Sequence, residues 1–301
     1  MNPEAMHQLE VDERFLSPRP LPDYVPPASG LLTLKVGCEF RYHVPWSTPT
    51  VMQVEPRRDG PHRILQEKWE TTPAIPLHEY LDSFGNRCRR FTMPTGDVTL
   101  RYDALVEVTA APDEVDLTAR QLPVEEIPDE ILVYTLPSRY CLSDTLSDTA
   151  WQLFGNSEMG WARVQAVCDW IYQNIIYKSG SSNAFTTAFE VYEQRAGICR
   201  DFAHMGVTLC RALNIPARYV FGYFPDVGVV APDIAMDFHA WFEVYLDGRW
   251  RPFDARHNIP RIGRVPIARG RDAVDCAMVT TYGPATFQSM IVWSDDVSEA
   301  R

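Results

Sequence analysis

The chain has 301 residues, of which 46% are hydrophobic and 12% aromatic, and its formal net charge is −12 at pH 7. This composition is too apolar for a disordered chain, and the length fits about two domains. The acidic balance argues against nucleic acid or a membrane as a partner, because a long phosphate backbone or an anionic bilayer requires clustered Lys and Arg.

The seven cysteines stand singly along the chain, odd in number and without a C-x-x-C pair. This pattern argues against a disulfide framework and against a structural zinc site. The N-terminus lacks the basic and apolar regions of a secretory signal, and no run of about 18 apolar residues is present. We therefore expect a cytoplasmic protein without a metal or other cofactor.

The first part of the chain is predicted to contain a flexible extension followed by a β domain. Residues 1–29 include the proline-dense stretch PRPLPDYVPP, which disfavours both helix and sheet. From 30 to 111 apolar and polar residues alternate, as in LTLKVGCEFRYHV and DVTLRYDALVEVTA. Alternation of period two is typical of half-buried strands, so this segment is predicted to form a β-sandwich-like domain.

Residues 112–135 are acidic, contain prolines and lose the alternation, so they are predicted to be a linker. Helical patterns follow in the remaining segment, 136–301, with Ser147 and either Thr186 or Thr187 at predicted helix starts and Gly155 at a helix end. Beyond Pro216 the alternation returns in ARYVFGYF, FHAWFEVYL and RWRPFDARH. Helices followed by an antiparallel sheet indicate the α+β class.

Cys199 is the first candidate for chemistry, within the stretch RAGICRDFAH. It directly precedes a helical pattern, and the N-terminus of a helix carries partial positive charge and free amide donors. A cysteine in this position is shifted toward the nucleophilic thiolate, and the amide donors can stabilise an oxyanion. The other six cysteines are predicted to be buried apolar residues.

His239 and Asp254 are predicted to meet across a hairpin. Asp247 and Gly248 form the predicted two-residue turn, so that residue 246 faces residue 249 and His239 faces about 256. The carboxylate of Asp254 then lies diagonally within reach of the imidazole. An imidazole beside a thiol accepts its proton, and a carboxylate on the other ring nitrogen fixes the tautomer. Cys199, His239 and Asp254 are thus a predicted catalytic triad for acyl transfer through a thioester.

The same segments resemble a known family. The stretches GICRDFAHMGVTLCRALNIPARYVFGYF, DFHAWFEVYLDGRW and PFDARH are similar to the core of transglutaminase-like proteins, in the bacterial branch with a preceding β-rich domain. The resemblance covers roughly residues 31–295 and implies a papain-like fold. It also implies that Cys199 is the nucleophile, His239 the base and Asp254 the orienting acid.

The resemblance leaves the reaction open, because fold alone does not give function. Calcium sites and further β domains after the core, expected of a eukaryotic-type cross-linking enzyme, are not expected here. Hydrolysis of an amide or isopeptide bond in a peptide or protein is therefore favoured. Transfer to a protein glutamine or small amine is the first alternative, and a non-catalytic binding module is the second. The sequence does not predict an oligomeric state.

Six further residues are weighed as substrate-binding or supporting residues: Arg200, Trp241, His257, Asn258, Tyr177 and Ser181. Tyr177 and Ser181 are candidates for a second oxyanion donor, since they lie just upstream of the nucleophile. For Trp241, core packing is favoured over shielding of the histidine–carboxylate pair from water. A metal site formed by Cys199, His204, His239 and His257 is disfavoured because their spacing lacks the short ligand pairs of most zinc sites.

Overall fold

A computed structural model of the chain describes residues 20–21, 24–26, 29–231 and 234–298. Most of the predicted flexible extension, residues 1–29, lies outside the described residues. Within the described part of that extension, the N–H of Leu21 donates to the carbonyl of Gly228 at 2.9 Å, and Pro20 forms an isolated antiparallel bridge with Val229.

Residues 31–109 form six strands, which supply most of two four-stranded antiparallel sheets. They are β1 (Leu31–Val44), β2 (Thr48–Met52), β3 (His62–Thr72), β4 (His78–Leu81), β5 (Arg87–Met93) and β6 (Gly96–Thr109). Alternate residues of β1 and β6 are buried, as the period-two pattern of the sequence predicts. The predicted β-sandwich-like unit is therefore present.

The last two strands of the chain return to this unit. β13 (Val279–Thr281) pairs with β2, and β14 (Thr286–Asp296) pairs with β1, giving the strand orders β14-β1-β6-β3 and β13-β2-β5-β4. The division that assigned all of 136–301 to the catalytic domain is wrong for these strands. Strand pairing over long sequence separation depends on which edge of a sheet is free, which local alternation does not reveal.

The segment between 112 and 135 contains two 3₁₀ turns, Val124–Glu126 and Asp129–Thr135. After it come the helices and the second sheet. The helices are α1 (Ser147–Phe154), α2 (Trp161–Asn174), α3 (Ala188–Gln194) and α4 (Cys199–Ala212). The sheet has the order β11-β10-β9-β12, formed by β9 (Ala217–Tyr223), β10 (His239–Leu246), β11 (Arg249–Phe253) and β12 (Val265–Gly270). Helices against an antiparallel sheet confirm the α+β class.

A pair of short strands and a helix cap position the N-terminal residues of α3 and α4. β7 (Ile176–Tyr177) pairs in parallel with β8 (Ala196–Gly197), which brings Tyr177 alongside the residues that lead into α4. Thr187 caps α3 in a capping box with Glu190, as predicted.

None of the helices within the described ranges has the length and apolar character needed to cross a membrane.

α4 is the central helix and packs against β10 and β9 on one side and against the other helices on the other. Nearly all of its residues are buried. Gly206 faces the ring of Phe242 so closely that an added Cβ would lie 2.4 Å from a ring carbon. The missing side chain of Gly206 therefore sets how near α4, and with it Cys199, approaches the sheet.

One contiguous hydrophobic cluster runs through both units of the protein. At their contact, the hydroxyl of Tyr223 on β9 donates to the carbonyl of Val54 at 2.8 Å and is fully buried. The N-terminal sheets and the sheet β11-β10-β9-β12 thus share a core. Because that core is continuous, we expect the two units to unfold together.

The close contact between α4 and the sheet gives a first prediction. Gly206→Ala adds a methyl group against the Phe242 ring, and overpacking of this kind outweighs the gain in helix propensity. We expect the free energy of unfolding to fall by about 1–2 kcal/mol in chemical denaturation. Gly283→Ala, at an exposed glycine whose added Cβ meets only Thr48 at 3.2 Å, is the control and should stay within about 0.5 kcal/mol. Equal stability of the two variants would contradict the prediction.

Candidate active site

Cys199 is the first residue of α4, as the sequence predicts. Ile198 before it is extended, with φ −109° and ψ 180°, and its N–H donates to the carboxylate of Asp201 at 2.9 Å. Asp201 is fully buried and pairs with Arg200 at 2.8 Å. A carboxylate in the first turn satisfies a free donor and complements the helix dipole, so Asp201 fixes where the helix begins.

The thiol of Cys199 lies near the beginning of β10, close to the N–H of Ala240. Cys199 is partly exposed, whereas the other six cysteines are buried. Burial raises the pKa of the Cys199 thiol to about 11, although the Arg256 charge and the Ala240 N–H act to lower it. The helix terminus alone therefore does not yield a thiolate, and the resting thiol needs a base to accept its proton.

His239 and Asp254 meet as the hairpin predicts. In the register of β10 and β11, Leu246 pairs with Arg249 and Phe242 with Phe253, which is the pairing expected from the turn at 247 and 248. His239 begins β10, and Asp254 directly follows β11. The Nε2 atom of His239 lies 2.7 Å from Oδ2 of Asp254, and both side chains are buried.

The carboxylate of Asp254 is held by several donors. Its Oδ1 accepts from the N–H groups of Arg256 at 3.1 Å and His257 at 3.3 Å. Its Oδ2 contacts His239 and also Nδ1 of His257 at 3.1 Å. Burial by itself would raise the pKa of Asp254, but the two histidines outweigh it and hold this pKa well below its ordinary value. Asp254 is therefore ionised and acts only as an acceptor.

An acceptor on one ring nitrogen determines the tautomer of His239. Because Oδ2 of Asp254 only accepts, Nε2 of His239 carries the proton of this contact, and Nδ1 keeps the free lone pair. Burial lowers the pKa of His239 to about 4, despite the opposing charge of Asp254. At neutral pH the imidazole is thus neutral, and its Nδ1 is available as a base.

Cys199 and His239 line the same cavity, which has a volume of about 90 Å³. Of the residues predicted as supporting, Tyr177 and His257 also line it. The sequence did not single out the remaining lining residues: Phe224, Asp226, Ile234, Ala235, Met236, Asp237, Phe238 and Arg256. Most of them belong to the segment before β10. No pattern in the sequence predicts that this segment lines the cavity.

Two of the predicted residues have other partners. Ser181 donates its hydroxyl to the carbonyl of Lys178 at 2.7 Å in an exposed turn, and it does not line the cavity. Arg200, besides its pair with Asp201, donates to the carbonyl of Asn183 at 2.8 Å. The structure therefore assigns Arg200 to holding the loop before α3 against the start of α4.

Asn258 also points away from the cavity. Its side-chain amide donates to Asp169 at 2.7 Å and accepts from Gln165 at 2.8 Å, both on α2. Its φ of 53° lies in the left-handed region, which asparagine tolerates well. Asn258 thus ties the turn after Asp254 to α2.

Trp241 and Phe224 form an aromatic wall beside the histidines. The Phe224 ring stacks on His239 at a centroid distance of 4.8 Å, and Trp241, which is 1% exposed, lies 6.4 Å from the same imidazole. The guanidinium of Arg264 lies over both aromatic rings, 4.6 Å from Phe224 and 5.1 Å from Trp241. These aromatic rings pack over the His239–Asp254 pair, and Trp241 is part of the buried core beside it.

His239, Asp254 and His257 place one ligand atom each within 4.8 Å of one another, which makes them the possible metal cluster of the described residues. Two guanidinium groups face these atoms, however. Arg264 lies 3.6 Å from Oδ2 of Asp254, and Arg261 lies 3.4 Å from Nδ1 of His257. Because these fixed cations repel a further positive ion, the cluster is better suited to hydrogen bonding than to metal binding.

Comparisons with known proteins agree with this geometry. Residues 148–255 match a family model described as the transglutaminase-like superfamily. Among solved structures, a candidate cysteine protease from Cytophaga hutchinsonii is 36% identical, with a TM-score of 0.81 and coverage of 89% of this chain and 91% of that chain.

Two mycobacterial relatives are uncharacterised. One from Mycobacterium leprae (strain TN) is 23% identical over 231 residues, or 75% of this chain and 82% of that protein. One from Mycobacterium tuberculosis (strain ATCC 25618 / H37Rv) is 28% identical over 213 residues, or 64% of this chain and 68% of that protein. Cys199, His239 and Asp254 all lie within the segment that the family model matches.

Buried neutral histidines predict that the protein loses stability in mild acid. Burial lowers the pKa of His204 to about 3 from its ordinary 6.5, and the same cause lowers the pKa of His239 and His257. Below pH 6.5 the unfolded chain binds protons that the folded chain does not, so stability falls as the pH falls toward these lowered values. Each such histidine contributes a slope of up to about 1.4 kcal/mol per pH unit.

This slope is measurable by chemical denaturation between pH 7 and pH 5. His204 stacks on Tyr140 at 5.1 Å and accepts from the N–H of Ala273 at 3.1 Å. His204→Phe keeps the stack and removes the titrating group. We therefore expect lower stability at pH 7 but a slope smaller by up to about 1.4 kcal/mol per pH unit. An unchanged slope would show that His204 protonates as readily in the folded chain as in the unfolded one.

Proposed function

This chain belongs to the transglutaminase-like superfamily, and we propose that it is an enzyme that cleaves amide or isopeptide bonds through Cys199, His239 and Asp254. At the level of the family, thiol-dependent hydrolysis or acyl transfer is supported by the superfamily match and by the candidate cysteine protease. The triad and the preference for hydrolysis are the proposal.

The observation that carries the proposal is the arrangement around the cavity of about 90 Å³. A cysteine at the start of a helix lines it together with a histidine whose other ring nitrogen lies 2.7 Å from a buried carboxylate. A nucleophile, a base and a group that orients the base are the parts that covalent acyl transfer requires.

In the first step, Nδ1 of His239 takes the proton of Cys199, and the sulfur attacks the carbonyl carbon of the amide. The imidazolium that forms is stabilised by the ionised carboxylate of Asp254. Because both side chains are buried, this charge stabilisation is stronger than it would be in water. The high pKa of the resting thiol requires that proton transfer accompany the attack.

In the second step, the tetrahedral oxyanion collapses to a thioester, and His239 gives its proton to the leaving amine. The first N–H groups of α4 have no acceptor within the helix and are suited to bind the oxyanion. Tyr177, which lines the cavity, remains the candidate for a second donor. Water, deprotonated by His239, then hydrolyses the thioester and restores the thiol.

Hydrolysis is favoured because the similar structure from Cytophaga hutchinsonii is described as a candidate cysteine protease. Transfer to an amine is the second candidate. It is favoured by two carboxylates that line the cavity, Asp226 and Asp237, which would attract a cationic amine to the thioester. Partial exposure of Cys199 argues against a non-catalytic binding module, which would be expected to seal the thiol. The substrate class of peptides or proteins and the cytoplasmic location remain predictions.

Alkylation with iodoacetamide tests the triad without knowledge of the substrate. Exposure alone predicts that Cys199 reacts before the six buried cysteines. The dependence on His239 is therefore the informative measurement. In His239→Ala the thiol loses its base, and we expect the alkylation rate of Cys199 at pH 7 to fall by about 100-fold or more. Alkylation is measured by mass spectrometry of the intact protein and its peptides.

His78→Ala, at an exposed histidine on β4, is the control and should leave the rate unchanged. A rate in His239→Ala equal to that of the wild type would mean that the imidazole does not activate the thiol. The proposed mechanism would then be wrong.

The reaction class is tested with a diverse peptide pool, incubated with a small primary amine and either the wild type or Cys199→Ser. Mass spectrometry distinguishes new peptide termini from amine incorporation. We expect new termini with the wild type and none with Cys199→Ser, because an alkoxide is far harder to form here than a thiolate. Predominant amine incorporation would establish transfer in place of hydrolysis, and cleavage by Cys199→Ser would exclude the thioester route.

A further inference from the structure

A second histidine shares the carboxylate oxygen on which the catalytic base depends. Oδ2 of Asp254 lies 2.7 Å from Nε2 of His239 and 3.1 Å from Nδ1 of His257. His257 is 5% exposed and lines the cavity with Cys199. The triad accounts for one of these two imidazoles, and the other has no role in the mechanism described so far.

The tautomer of His257 follows from the charges around Nδ1. This atom lies 3.1 Å from the anionic Oδ2 of Asp254 and 3.4 Å from the guanidinium of Arg261. It cannot donate to one and accept from the other at the same time. The carboxylate contact is shorter and involves the ionised acceptor, and Arg261 has its own partners in the Pro225 carbonyl at 3.0 Å and Asp226 at 3.3 Å. We therefore assign the proton to Nδ1, so that His257 donates to Asp254.

The ring of His257 is also held by stacking. It lies 4.6 Å from the His239 ring with an interplanar angle of 18°, and 5.6 Å from the Phe224 ring with an angle of 12°. Burial lowers the pKa of His257 to about 3, so the ring is neutral at neutral pH. His257 is thus a fixed, uncharged donor.

The orientation of Asp254 does not depend on this donor. Oδ1 is already held by the backbone N–H groups of Arg256 and His257, and replacing the side chain at 257 by Phe, Gln or Asn leaves both of these N–H groups in place. What the imidazole of His257 adds is a partial positive charge at Oδ2, the atom that stabilises the protonated form of His239. The effect of His257 on the site is therefore electrostatic more than steric.

We propose that His257 is a positioning residue that shares the negative charge of Oδ2 of Asp254 and thereby leaves the Cys199 proton on the sulfur in the resting enzyme. The inference rests on the proposed function and adds a residue that adjusts the protonation state of the same site. A thiol that stays protonated at rest is protected from oxidation and from adventitious electrophiles, because the thiolate is the reactive form.

The charged groups facing this cluster come from several segments, and none of them is removed by a change at position 257. They are Arg264 at 3.6 Å from Asp254, Arg261 with its partner Asp226, and Arg256 and Asp237, which line the cavity. Variants at 257 therefore change one hydrogen-bond donor to Asp254, while the charged groups around it stay the same.

The test is the pH profile of Cys199 alkylation by iodoacetamide between pH 5.5 and pH 9. His257→Phe keeps the stacked ring and removes the N–H donor. His257→Gln also removes the donor at the Nδ1 position, because its amide nitrogen reaches the position of Nε2. His257→Asn restores a donor near Nδ1, which makes Gln and Asn a matched pair of amides.

Without the donor, Oδ2 stabilises the protonated His239 more strongly, and the thiolate–imidazolium pair forms at lower pH. We expect the rising part of the profile to move to lower pH by up to about one pH unit in His257→Phe and His257→Gln. The rate near pH 6 should then rise by up to about tenfold, while His257→Asn retains the wild-type profile.

An unchanged or slower profile in His257→Phe and His257→Gln, with thermal unfolding showing folded protein, would overturn the proposal. If one variant does not fold, the other decides the outcome. His239→Ala separates this result from a failure of the proposed function. When the alkylation rate falls in His239→Ala but the variants at 257 match the wild type, the triad stands and only the role of His257 is refuted.

Discussion

The site depends on one constraint, the register of the hairpin formed by β10 and β11. Asp247 at φ 49° and Gly248 at φ 81° form a turn in which both residues adopt positive φ, and this turn fixes which residues face each other along both strands. A shift of one residue would carry His239 to the other face of the sheet, away from Cys199 and Asp254. The contact of 2.7 Å between imidazole and carboxylate is thus a consequence of turn geometry.

Burial of the site has two opposing effects. It raises the pKa of Cys199 and lowers that of His239, so both groups are neutral at rest. In the proposed mechanism, the same low polarity would strengthen every charge interaction once the proton has moved to His239, and the ionised carboxylate of Asp254 would stabilise the imidazolium. In the proposed mechanism, the site therefore carries no charge on the thiol or the imidazole at rest and stabilises the charges that form during the reaction. Its buried neutral histidines also make the stability of the folded protein sensitive to acid.

The sequence predicted the parts of this arrangement that follow from local pattern. The start of α4 at Cys199, the capping residue Thr187 and the pairing of β10 with β11 were all determined by nearby residues. The return of β14 to pair with β1 was not predicted, since it joins residues 243 to 262 positions apart. The double contact at Asp254 was also missed, because it depends on the three-dimensional course of the chain after β11. The sequence indicated His257 as a candidate substrate-binding or supporting residue, without its contact to Asp254.

One chain of contacts connects the segment that follows β6 to the site. Asp113, in the segment that follows β6, accepts from Nε of Arg264 at 2.8 Å and fixes that guanidinium over Phe224 and Trp241. Arg264 in turn lies 3.6 Å from Oδ2 of Asp254. The acidic segment therefore holds Arg264 in place beside Asp254. Because the same core continues through Tyr223 into the N-terminal sheets, the geometry of the triad and the stability of the β-sandwich-like unit are coupled.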